Sequence, residues 1–322
     1  MYFIGSGRIA VPVLETLIKT ADVDLCGIAT QPDRPAGRRR APAPTPVAEC
    51  ANAHGLAAAK PASVNDSEFL ESLSSSAPEI IVVFSFGQLL KEAILNLAPY
   101  GCLNIHTSLL PRHRGAAPIA AALLAGDRET GVCFMRMERG LDTGPVYECA
   151  RIPLEGTETA AVLTERLALL AQTHICAVLE RVCRRGAQPT PQPEQGATYA
   201  RQLRKADAQI DWRKPAERLE REIRAFNPWP CSWFLLPAKK QHSRIQVLEA
   251  AVLPASPAAT PVPGQIIGAD SDGLRIACGE GTLRIDILVP EGRNRMAAEE
   301  FLRGHTIEPG TVLPSPETNQ DG

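Results

Sequence analysis

Asn104 and His106 close the short apolar run Gly101-Cys-Leu-Asn-Ile-His106, an amide and an imidazole two residues apart. In an extended chain that spacing puts both side chains on one face. An Asn amide donates to an oxygen that gains charge, and a His moves a proton near neutral pH. The same pair also suits a plainer role, a capping Asn with a hydrogen-bonded structural His. Further on, Glu138-Arg-Gly-Leu-Asp-Thr-Gly-Pro145 is a glycine-flanked turn that presents one carboxylate, Asp142. The loop after His106 contains Pro111, Gly115 and Pro118, and the spacing predicts Arg112 and Arg114 to be exposed on it.

Chemistry at a strand end needs a sheet to hold the strand. Ile80-Ile-Val-Val-Phe84 is a continuous apolar run of strand length, as expected for a strand buried on both faces of a parallel sheet. In open α/β sheets ligands bind beyond the carboxyl ends of the strands, which is where Asn104 and His106 fall. The chain opens with a very short apolar stretch, Met1 to Ile4, then Gly5-Ser-Gly-Arg-Ile-Ala10 and a helix through Lys19. Gly5, Gly7 and Ala10 fit the loose dinucleotide fingerprint, which makes a nucleotide-dependent oxidoreductase one reading. A tight turn that lets the helix pack closely is the other. The second strand ends in Thr30-Gln31-Pro32, with Asp33 beyond it rather than at its end.

From Gln31 to Pro46 five prolines and a glycine predict a long irregular loop carrying Arg34, Arg38, Arg39 and Arg40. Such a loop either meets an anion, phosphate above all, or stays solvated. Helices from Pro46 to His54 and from Asp66, with a short strand near Ala57, continue an αβ alternation. Together these elements predict a doubly wound parallel sheet. Beyond the central stretch the pattern reads as a helix over 119–125, strands over 130–137 and 147–153, and a long helix over 159–184. The Pro/Gln/Gly tract after Arg184 has no periodicity and reads as a linker. Several short strands follow it at turn-punctuated spacing, the pattern of a small β-barrel.

With 322 residues, 44% hydrophobic and 22% charged, the chain has room for two domains with sizeable cores. The net charge of −2 excludes a protein that is basic all over, though not a local basic patch. From residue 205 onward 14 Lys and Arg face 16 Asp and Glu. Nine scattered cysteines without a Cys-x-x-Cys pair fit reduced thiols in the cytoplasm, rather than a disulfide framework or a zinc site. The sequence shows no apolar run of membrane-spanning length and no signal-peptide layout.

Four stretches, in order and spacing, resemble the methionyl-tRNA formyltransferase family: Gln31-Pro-Asp-Arg-Pro-Ala-Gly-Arg38, Asn104-Ile-His-Thr-Ser-Leu-Leu-Pro-Arg112 through Gly115-Ala-Ala-Pro-Ile119, Gly140-Leu-Asp-Thr-Gly144, and Ile223-Arg-Ala-Phe-Asn-Pro-Trp-Pro230. The middle two are shared by a wider group of folate-dependent formyltransferases that act on glycinamide ribonucleotide or amino sugars. The basic loop and the Phe-Asn-Pro-Trp-Pro stretch point to the tRNA branch. The resemblance implies a Rossmann-like catalytic domain over 1–185, a linker over 186–204, and an OB-like β-barrel that binds tRNA over 205–322. It implies formyl transfer from 10-formyltetrahydrofolate to the α-amino group of methionyl initiator tRNA, by a cytoplasmic monomer with no metal and no membrane.

The family's catalytic residues carry over onto Asn104, His106 and Asp142, and its folate turn onto Ser108, Leu109, Leu110 and Pro111. Its tRNA-guiding basic residues carry over onto Arg38, Arg39 and Arg40. The resemblance further implies that Asn104 and a protonated His106 donate to the formyl oxygen, while Asp142 orients His106 and raises its pKa. The chain departs from the family at Gly5-Ser6-Gly7 with Ile9, where Gly-Thr-Pro and Phe are usual. It departs again at Thr107, where Gly is common, and in a first strand shorter by a few leading residues.

Overall fold

The computed structural model describes residues 1–36, 41–237, 242–254, 262–271 and 273–317. Two compact units share the chain: Met1–Pro118 with Glu129–Pro153 and Leu163–Arg201, and Ile119–Arg128 with Leu154–Val162 and Gln202–Gly322.

In the first unit, β1 (Tyr2–Gly5), α1 (Val11–Lys19) and β2 (Gly27–Ala29) come first. Then follow β3 (Arg34–Ala36), β4 (Ala41–Ala43), α2 (Pro46–Ala53), α3 (Ser67–Ser75), β5 (Ile81–Phe84), α4 (Glu92–Leu95), β6 (Cys102–His106) and β7 (Arg114–Gly115). After α5 (Pro118–Ala125), which falls almost wholly in the second unit, the first unit continues with β8 (Glu129–Arg136), β9 (Val146–Pro153), α6 (Ala160–Leu179, from Leu163 onward) and β10 (Tyr199–Ala200). The main sheet has the order β2-β1-β5-β6-β8-β9, parallel from β2 to β6 and antiparallel where β8 and β9 extend it. All four residues of β1 and of β5 are buried, which explains their unbroken apolar runs. Helix α1 lays Val13, Leu14 and Leu17 on the core, and Thr45 caps α2 by accepting from the Ala48 amide at 3.1 Å.

The Gly5-Ser6-Gly7 turn follows the tight-turn reading, not the dinucleotide one. The amides of Ser6 and Gly7 both donate to the Ser85 carbonyl at 3.1 Å, and Ser6 Oγ accepts from the Gln31 amide at 3.0 Å. Donors that would face a pyrophosphate are thus used inside the protein. A Cβ on Gly7 would run into Ser85 Oγ, so the glycine serves close approach of two chain segments.

Three other expectations need correction. The proline-rich loop is not wholly irregular, because β3 and β4 pair as Arg34↔Ala43, Pro35↔Pro42 and Ala36↔Ala41. A ladder this short, outside the main sheet, tolerates prolines that a central strand could not. The basic tip with Arg38, Arg39 and Arg40 lies outside the described residues. Two of the nine cysteines are not free thiols: Cys133 on β8 and Cys149 on β9 sit directly opposite each other and are joined as a disulfide. Strand register decides that pairing, and spacing along the chain does not reveal it. The segment Ala160–Arg184, finally, is long and apolar enough to cross a membrane by length and composition. Its buried positions Leu163, Leu167, Ala171, Ile175 and Val178 recur every three or four residues, the stripe of a helix packed on a core.

The second unit holds α7 (Ala216–Ala225) and an antiparallel curled sheet of β11 (Trp233–Leu236), β12 (Ser243–Leu253), β13 (Ile266–Asp270), β14 (Gly273–Ala277) and β15 (Thr282–Pro290). A two-residue β16 (Met296–Ala297) pairs with β15, and α8 (Ala298–Gly304) follows. The order is β11-β12-β15-β14-β13, with register shifts in β12 between Val247 and Ala250 that bend the strand. Trp212 and Phe234, both fully buried, meet edge to face at 5.7 Å in a core with Leu219, Ile223 and Ile276. The result is a half-barrel of the OB-like kind.

Candidate active site

Strand β6 delivers Asn104 and His106 on one face, as period two requires, and both side chains turn to the same carboxylate. Asn104 Nδ2 donates to Asp142 Oδ1 at 3.4 Å, and His106 Nδ1 lies 3.5 Å from Asp142 Oδ2. The backbone amide of Gly115 donates to Asp142 Oδ2 at 2.8 Å, the shortest of the three contacts. Asp142 itself sits at φ +55°, in the left-handed region. Such backbone costs a non-glycine residue roughly 1–3 kcal/mol and persists only where the surroundings hold it.

His106 is buried, and its Nε2–H donates to the His113 carbonyl at 2.9 Å. Burial pushes its pKa below the ordinary histidine value, while the Asp142 carboxylate and the His113 carbonyl oppose that shift without reversing it. The expected raised pKa is therefore corrected to a lowered one. With Nε2–H committed to the His113 carbonyl, Nδ1 is the nitrogen that faces the carboxylate.

The turn expected to hold folate runs from Ser108, which is fully buried, to half-buried Leu109, Leu110 and Pro111. Ser108 Oγ donates to the Arg112 carbonyl at 2.6 Å, the Arg112 amide donates to Leu109 O at 3.1 Å, and the Leu110 amide donates to Cys133 Sγ at 3.3 Å. Spacing placed both Arg112 and Arg114 in solvent. Arg112 is exposed, but the Arg114 side chain is only 1% exposed. Its Nε donates to Gln192 Oε1 at 3.1 Å, and its Nη1 and Nη2 reach Glu194 at 3.3 Å.

These last partners come from a stretch expected to act as a spacer. Thr190 instead pairs with Val146, and β10 pairs in parallel with β7 as Tyr199↔Arg114 and Ala200↔Gly115. Thr198 Oγ1 accepts from the His113 amide at 2.8 Å, so the loop that carries the His106 partner is itself held from this stretch. Gln192, Thr198 and Ala200 were not legible as site residues, because a tract of Pro, Gln and Gly without periodicity gives no register. Among the described residues no three His, Cys, Asp or Glu side chains gather as a metal site.

An open α/β sheet whose central strand ends on an amide donor and an imidazole, beside a half-buried carboxylate, has the groups that transfer of a carbonyl-containing group onto a nucleophile calls for. The chain belongs to the formyltransferase family: the pattern described as "Formyl transferase" matches residues 1–179, and "Formyl transferase, C-terminal domain" matches 202–306. It is 41% identical over 319 residues to the "Methionyl-tRNA formyltransferase" of Delftia acidovorans (strain DSM 14801 / SPH-1), covering 97% of this chain and 96% of that protein. To the protein of the same name from Xylella fastidiosa (strain 9a5c) it is 42% identical over 302 residues, 93% and 95% of the two chains. Among solved structures, WlaRD, described as a sugar 3N-formyl transferase in the presence of dTDP and 5-N-formyl-THF, superposes with a TM-score of 0.62 at 15% identity, over 91% of this chain and 98% of that one. This last likeness is one of fold.

Proposed function

We propose that this protein transfers the formyl group of 10-formyltetrahydrofolate to the α-amino group of methionyl initiator tRNA. The observation that carries the reading is the identity of about 41% to a protein named methionyl-tRNA formyltransferase, sustained through 97% of the chain and thus through both units. The folate co-substrate supplies an activated formyl carbon. As the amine nitrogen bonds to that carbon, the formyl oxygen gains charge and Asn104 Nδ2 donates to it. His106 Nδ1 takes the proton that the amine loses, and Asp142 Oδ2 stabilises the imidazolium. The proton then passes to the folate nitrogen as its bond to the formyl carbon breaks. The half-buried apolar residues Leu109, Leu110 and Pro111, which follow the polar pair along the chain, suit a flat donor with one apolar face and one polar edge.

In this reading residues 1–185 are the catalytic domain and 186–204 the segment that leads from it. Residues 205–322 bind tRNA, with Arg38, Arg39 and Arg40 engaging the phosphates of the acceptor end. The protein acts as a cytoplasmic monomer without a metal. The test is formylation of methionyl initiator tRNA in the presence of 10-formyltetrahydrofolate, with methionyl elongator tRNA alongside. Formyl-methionine confined to the initiator is the expected result. Folded protein that binds folate but formylates neither tRNA would move the assignment to formyltransferases of small amines.

A further inference from the structure

Three groups converge on the Asp142 carboxylate, whose backbone is left-handed. The restraint comes from Gln192, fifty residues further along the chain. Gln192 Nε2 donates to the Asp142 carbonyl at 2.8 Å and to the Gly144 carbonyl at 2.7 Å, so both amide hydrogens are committed to carbonyls on either side of Thr143. Its Oε1 accepts from Arg114 Nε at 3.1 Å. Arg114 precedes Gly115, whose amide donates to Asp142 Oδ2, so one side chain braces the catalytic carboxylate from behind and links to the strand that holds it in front.

We propose that Gln192 is the positioning residue of this site, holding the Asp142 turn so that its carboxylate faces Asn104 and His106. The inference rests on the transfer reaction proposed above. The chemistry demands this residue type. Two carbonyl oxygens need two N–H donors from one atom, and the Arg114 guanidinium needs an acceptor on the same amide carbon. A Glu at 192 keeps the length and the contact to Arg114, but sets a carboxylate oxygen against two carbonyl oxygens. A Leu removes donor and acceptor without adding charge.

The test compares wild type, Gln192→Glu, Gln192→Leu, Asp142→Ala and the double variant Gln192→Glu/Asp142→Ala in steady-state formylation. A misplaced catalytic group costs about tenfold to a hundredfold in rate. That loss is expected in kcat for both Gln192 variants, with KM for either substrate little changed and the thermal midpoint lowered by the lost buried hydrogen bonds. No further loss is expected from Gln192→Glu once Asp142 is Ala, since the brace then holds nothing. Undiminished kcat in folded Gln192→Leu and Gln192→Glu, or a full additional loss in the double variant, would overturn the proposal. A second readout does not need turnover: 15N-histidine titration of His106, in which release of Asp142 by Gln192→Leu lowers the pKa further without adding a charge. If wild type fails to formylate, the function is wrong while this titration still decides the role of Gln192, an unmoved His106 refuting it.

Discussion

Asn104 and His106 share a carboxylate at distances that leave both free to work. At 3.4 Å the Asn104 amide is loosely held by Asp142, and its second hydrogen is uncommitted in that contact. A donor aimed at a developing oxyanion is worth roughly 3 kcal/mol, or a factor of 10² to 10³ in kcat. Asn104→Ala is therefore expected to lose about that factor while unfolding at the wild-type temperature, as steady-state formylation and a melting curve can show. Wild-type turnover from this variant would take Asn104 out of the mechanism. His106 makes a different prediction, about pH. Its folded-state pKa is lowered by burial, so below about 6.5 the unfolded chain takes up a proton that the folded protein refuses. Stability is complete above that value and falls with acidification from there down to the folded pKa. His106→Gln removes this group from the titration, so its unfolding free energy in urea should lose less than wild type between pH 7 and 5.5. An identical loss in both proteins would mean that His106 is not held neutral.

The elements that carry the site differ in how they announce themselves. Strand β6 was legible because its apolar residues alternate with Asn104 and His106, and β5 because four consecutive buried residues leave no other reading. Strands β7 and β10 were not, since two residues each have no period and their pairing spans some eighty residues of chain. The burial of Arg114 was hidden for the same reason: its partners Gln192 and Glu194 arrive with that distant segment. Gly115 shows what the pairing requires. Its φ is +116°, and a Cβ there would stand 2.6 Å from the Ala200 carbonyl oxygen. Gly115→Ala has to push β10 away or twist its own amide off Asp142. It is expected to destabilise the protein by about 1–3 kcal/mol and to lower kcat, both measurable on one preparation. A variant with wild-type melting and turnover would show that β7 and β10 do not constrain the carboxylate.

At the scale of the whole molecule, a net charge of −2 has to be reconciled with a polyanionic substrate. Average charge does not decide this, because phosphate contacts are made by local clusters whose counterion release sets the salt dependence of binding. The cluster Arg38-Arg39-Arg40 carries no compensating acid within the run itself. Lys60, by contrast, is paired with Asp33 at 2.6 Å and is a poorer candidate. If the arginines meet tRNA phosphates, Arg38→Ala should raise KM for methionyl-tRNA and reduce the slope of log affinity against log salt by about one phosphate contact. The formyl chemistry should be spared, so hydrolysis of 10-formyltetrahydrofolate in the absence of tRNA should match wild type. Formylation measured across a potassium chloride series, next to that hydrolysis, separates the two demands on the loop. Equal loss of both activities would place the loop's role in shaping the folate pocket, and would leave the half-barrel unit to supply the contacts that hold tRNA.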